Sequence, residues 1–90
     1  MAIDFYSLSD RLRKQKLFSI SEKEFELLDD VWSQYKKLTG VYIDAYGTTR
    51  IYPEHVTLIK KLLLNHSDKA AKKLLSYLDK SNEGYLLLGD

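Results

Sequence analysis

The side chains with the most chemistry to offer in this 90-residue chain are two histidines, a group of carboxylates, and a set of tyrosines around an arginine. An imidazole titrates near neutral pH, so His55 and His66 are the first pair to consider for acid and base steps. Eleven residues separate them, roughly 16 Å along a continuous helix at about 1.5 Å per residue. That is too far to share a metal ion or a scissile bond unless the intervening turn bends. Structural places are expected instead, His55 in a first helical turn and His66 at a helix end, where its cation suits the dipole.

Other catalytic patterns fare no better. Asp29 and Asp30 are neighbours, and adjacent helical residues diverge by about 100°, so their carboxylates would not flank one bond. The glycines stand scattered at 40, 47, 84 and 89, which leaves no phosphate-cradling loop. Serine, histidine and aspartate occur without a nucleophile-elbow context. With no cysteine, neither a disulfide framework nor a thiolate zinc site is available. No catalytic residue, cofactor or metal ligand set is expected.

Binding surfaces are more legible. Glu22, Glu26, Asp29 and Asp30 follow helical spacings of 3, 4 and 7 or 8, forming an outward stripe. Anions near a helix start gain from the dipole, but Asp29 and Asp30 lie beyond the first turn and repel one another. Such a stripe steers a basic partner, or is simply a solvated face. In "GVYIDAYGTTRIYPEH", Gly40 to His55, alternation turns Val41, Ile43 and Ile51 inward and Tyr42, Asp44, Arg50 and Tyr52 outward, about a turn at Tyr46 and Gly47. Tyr42, Tyr46, Arg50 and Tyr52 then have the composition of a protein interface. Alternatively, Asp44 and Arg50 pair across the strands while the tyrosines cover leucines. A third surface comprises Lys60, Lys61, Lys69, Lys72 and Lys73, which with the tyrosines would suit nucleic acid. Only one arginine lies outside the expected first helix, too few for the usual base-edge contacts.

The elements that must position these residues follow from periodicity and caps. Leu8, Leu12, and Leu17 or Phe18 predict a short first helix beginning near Ser7 or Ser9. Ser21 stands three residues before Glu24, the capping-box spacing, and Ile20 can staple onto Phe25. Phe25, Leu28, Val31, Trp32, Tyr35 and Leu38 continue as one apolar stripe, and Gly40 suits a left-handed closure, so residues 22–39 are predicted helical. "VYID" and "TRIY" read as a hairpin around "AYGT". An isolated hairpin is marginal in water, so "YLLL", Tyr85 to Leu88, is the expected third strand. Pro53 opens a helix over 53–65 that turns Val56, Ile59, Leu62 and Leu63 inward. Ser67 or Asp68 caps a fourth helix, with Ala71, Leu74, Leu75 and Leu78 inward, ending near Asp79. The expected fold class is α+β: about four helices with a small two- or three-stranded antiparallel sheet, in a single domain over 1–90.

Hydrophobic residues at 44% and charged residues at 30% give an ordinary globular composition, unlike that of a disordered chain. A net charge of +1 is too small to draw in nucleic acid or a membrane at long range. Its distribution, with acids near residues 22–30 and lysines in the second half, predicts two electrical faces. No apolar run approaches the roughly 20 residues of a membrane span, and the first residues lack the basic-then-apolar order of a signal peptide. Together with the missing cysteines this reads as a cytoplasmic protein with no membrane partner.

The segment "LTGVYIDAYGTTRIYPEHVTLIKKLL" resembles small bacterial proteins in which a helix ending in "TG" is followed by "IDxYGxTRxxPEH" and another leucine-rich helix. Some of these are similar to immunity proteins of polymorphic or contact-dependent toxin systems. The resemblance covers about the middle third of the chain and implies a cytoplasmic, non-enzymatic inhibitor that binds a toxin domain, often a basic nuclease. It transfers no set of contact residues. The expected function is therefore protein binding, through Glu22, Glu26, Asp29, Asp30, Tyr42, Tyr46, Arg50 and Tyr52. The alternative is a small nucleic-acid-binding regulatory domain using the lysine-rich third and fourth helices.

Overall fold

The computed structural model describes residues 2–80 and 83–89. In chain order they form β1 (Ala2–Ser7), β2 (Phe18–Ser21), α1 (Glu22–Leu27), α2 (Asp29–Thr39), β3 (Thr48–Ile51), α3 (Pro53–Leu64), α4 (Lys69–Leu78) and β4 (Tyr85–Gly89). The class is α+β, with four helices as expected and a sheet of four strands rather than two or three. All pairings are antiparallel in the order β2-β1-β4-β3. "YLLL" supplies the strand foreseen for it, in a central position where Tyr85, Leu86 and Leu87 are all buried.

The first helix is not formed. "AIDFYS" alternates Ile3 and Phe5 toward the core with Ala2 and Asp4 away from it, and pairs with both β2 and β4. The following residues cannot helix because Asp10 captures the chain: its carboxylate accepts from the amides of Lys14 and Gln15 at 3.1 and 3.0 Å. Leu12 and Leu17 are left exposed rather than aligned on a buried stripe. The hairpin is also corrected. Only its second arm is a strand, and that arm pairs with β4, while residues 41–44 run irregularly beside it with Ile43 buried.

The predicted helix over 22–39 is broken at Leu28, whose backbone (φ −102°, ψ 18°) separates α1 from α2. The Trp32 indole N–H donates to the Phe25 carbonyl at 2.9 Å, and the Leu28 amide reaches the same oxygen at 3.2 Å. A side-chain donor thus enters the ladder where the Asp29 amide would otherwise bond. Leu28, Val31, Trp32 and Tyr35 are buried, but Leu38 is exposed. The Ser21–Glu24 capping box is present, and Gly40 closes α2 at φ +78°.

One sheet face carries Ile3, Phe5, Ile20, Ile51, Tyr85 and Leu87 into a core completed by the three longer helices. Val56, Ile59 and Leu63 of α3 and Ala70, Ala71, Leu74 and Leu78 of α4 face it, and Leu62 and Leu75 are partly buried. Pro53 occupies the first turn of α3, and the Asp68 side chain caps α4 through the Ala70 amide at 2.8 Å. Among the described residues no helix is long and apolar enough to cross a membrane.

Candidate functional site

The break at Leu28 and the irregular run after Gly40 together shape a cleft of about 310 Å³. One side is acidic: Glu22 and Glu26 come from α1 and Asp29 from the first turn of α2, all exposed. The other side is aromatic, with Tyr42 and Tyr46 66% and 67% exposed. Phe25, Trp32, Ile3 and Ile43 supply an apolar base, in which the Phe25 and Trp32 rings lie 5.2 Å apart. Five of the eight residues singled out from the sequence thus meet in one place.

The aromatic side is held by short-range backbone capture. The Asp44 carboxylate accepts from the Tyr46 amide at 2.9 Å, and the Asp44 amide donates to the Thr49 hydroxyl at 3.1 Å. Asp44 therefore does not pair with Arg50. The Gly89 amide donates to the Gly47 carbonyl at 2.8 Å, tying the turn to β4. A Cβ at Gly89 would collide with the backbone of Ala45 and Tyr46, so the close approach requires glycine there.

Glu22, Glu26 and Asp29 make no ion pair among the described residues. Among the described residues the only cation lining the cleft is Lys36, whose Nζ stands 5.4 Å from the centre of the Tyr42 ring. Three carboxylates against one ammonium make the described lining of the cleft negative. With exposed tyrosine rings beside it, the recess suits a guanidinium or ammonium carried on an apolar stem.

Asp30 has turned away. One residue after Asp29 and about 100° round the helix, its carboxylate accepts from His66 Nε2 at 2.9 Å. His66 Nδ1 accepts the Asp68 amide at 3.1 Å, which places the ring proton on Nε2 and lets a neutral imidazole make both bonds. His55 Nδ1 shares a hydrogen bond of 3.0 Å with the Tyr35 hydroxyl, and burial pushes that phenol's pKa up, so the hydroxyl keeps its proton. Each histidine thus ties α2 to a following element, on separate partners. Among the described residues no group of three or more His, Asp or Glu is placed to hold a metal ion.

Arg50 and Tyr52 also lie away from the cleft, lining a separate recess with Arg11 and Arg13. Nothing local in the sequence announces this meeting, because β1 and the loop after it reach β3 only through β4. The lysine-rich helices are partly neutralised: Lys60 pairs with Asp79 at 3.5 Å and Lys73 with Glu24 at 3.0 Å. Compared with protein-family models, curated proteins and solved structures, the chain has no match.

Proposed function

We propose that this chain is a non-enzymatic protein-binding module whose acidic, tyrosine-walled cleft takes a basic side chain of its partner. Its most concrete form is an immunity protein that holds a bacterial toxin domain inactive in the cytoplasm. The observation that carries the reading is the convergence of three carboxylates, without an ion pair among the described residues, with the exposed Tyr42 and Tyr46 rings over an apolar base. Clustered negative charge accelerates the encounter with a basic surface, and the rings provide rigid, amphipathic anchors once it has docked. A basic toxin of the nuclease type would present lysines and arginines meant for phosphate. Occupying them with carboxylates blocks that surface without any bond being made or broken. The resemblance of the middle third of the chain to immunity proteins is what makes a toxin domain the most concrete partner.

The test is protection. Basic nuclease toxin domains are produced one at a time in a host with the wild-type protein or with a Glu22→Lys, Asp29→Lys variant whose folding is verified by circular dichroism. Survival with the wild type and death with the variant is the expected outcome. Equal survival with both would remove the cleft from the account, and death with both for every domain would remove the inhibitor role.

A further inference from the structure

All the arginines of the chain, Arg11, Arg13 and Arg50, line one recess of about 400 Å³, and none of the lysines does. Arg50 projects from β3 on the sheet face opposite the core, opposite Leu86, which forms part of the base. Arg11 and Arg13 come from the loop between β1 and β2, and the rim is completed by Thr48 and the half-exposed ring of Tyr52. Among the described residues no carboxylate lines the recess and none of the three guanidiniums makes an ion pair. Asp4 is held by Lys16 at 3.8 Å.

The loop is built rather than merely long. Arg13 is the only non-glycine residue with positive φ among the described residues, at 53°. A residue with a Cβ adopts that backbone only when its surroundings enforce it. Here the Asp10 carboxylate gathers the Lys14 and Gln15 amides, and the Asp10 carbonyl accepts the Arg13 amide at 3.1 Å. The same backbone capture holds the Asp10 carboxyl below its ordinary range, so the clasp persists at neutral pH.

Arginine in place of lysine has a chemical meaning, because its planar fork offers paired donors matched to phosphate or carboxylate oxygens. One carboxylate is satisfied by a single fork, whereas three forks around one recess call for a ligand with several anionic oxygens. The exposed Tyr52 ring adds a flat surface of the kind on which bases stack. We infer that this recess binds a short single-stranded nucleic-acid segment, with the arginines on its phosphates and Tyr52 against a base. This site is distinct from the acidic cleft and does not depend on the reading given to it.

The experiment is fluorescence anisotropy of a labelled single-stranded oligonucleotide titrated with the full chain across a salt series. The expected result is binding that weakens with salt at a log–log slope of about −2, roughly −0.7 for each phosphate neutralised by an arginine. Arg11→Gln and Arg50→Gln should each make the slope shallower by about 0.7. Arg13→Asn should do the same while keeping a residue that tolerates positive φ, which separates loss of charge from loss of the loop. Tyr52→Leu should weaken binding about five- to hundred-fold with the slope unchanged. Glu22→Gln, Asp29→Asn should leave binding intact, so failure of the cleft reading and failure of this one are distinguishable. Absence of binding, or binding indifferent to the arginine variants, would overturn the assignment. So would a polyglutamate peptide, a duplex or a mononucleotide binding as well as the single strand.

Discussion

Asp29 and Asp30 are adjacent in sequence, yet only Asp29 opens onto the cleft, while Asp30 accepts a hydrogen bond from His66. Their replacements should therefore separate. Asp29→Lys is expected to lower the association rate of a basic partner and flatten its salt dependence while costing up to about 1 kcal/mol of stability, because it reverses a charge in the first turn of α2, read by stopped-flow and urea denaturation. Asp30→Ala is expected to cost about 0.5–1 kcal/mol of stability, the lower part of the range for a hydrogen bond because the carboxylate is 72% exposed. The stripe of acids was legible from spacing alone, since 22, 26 and 29 fall within one face of a helix. The fate of Asp30 was not, because its partner lies 36 residues away. The same holds for the tyrosines: alternation turned Tyr42 and Tyr52 outward, as found, but could not say that they serve different recesses.

Trp32 decides how the acidic side of the cleft is bent. Replacing it with phenylalanine keeps a ring in the core but removes the donor to the Phe25 carbonyl, and should cost about 1–2 kcal/mol. Far-UV circular dichroism in urea reads this, because Trp32 is the only tryptophan and fluorescence would be lost. At the start of α1, Ser21→Ala should cost about 1 kcal/mol by removing half of the capping box. The Glu24 carboxyl is held below its ordinary range chiefly by the Ser21 amide, with burial opposing it and the Lys73 ammonium adding a lesser lowering. A carboxyl with a depressed folded pKa stabilises the fold above its unfolded pKa, and that stability is lost as pH falls through the folded pKa. Glu24→Gln should therefore flatten the loss of stability on acidification, followed by urea midpoints at successive pH values. This cap was visible in the sequence because it is local. The strand β2 was not, because four residues are too few to show a period, and β1, although Ile3 and Phe5 alternate, pairs mainly with the far C-terminal segment, which nothing local announces.

Across the molecule, charge is arranged more sharply than composition suggests. A net charge of +1 conceals an acidic cleft with one lysine and a recess containing every arginine. The sequence pointed to two electrical faces but placed the positive one on α3 and α4, where Lys60 and Lys73 are paired with Asp79 and Glu24. Lys61, Lys69 and Lys72 stay exposed there, and the four-stranded sheet adds a second positive surface, because β4 joins β1 to β3 and so brings the loop arginines to Arg50. The protein-binding account stands on the cleft, and site-specific photo-crosslinking in cells tests it most directly. A crosslinking amino acid is placed at Tyr46 in the cleft or at exposed Leu64 on α3, each with and without Glu22→Lys, Asp29→Lys. The account predicts a discrete adduct from position 46 to a basic protein domain, abolished by the charge reversal, and none from position 64. An adduct from position 64 alone, or one from position 46 that survives the reversal, would contradict it.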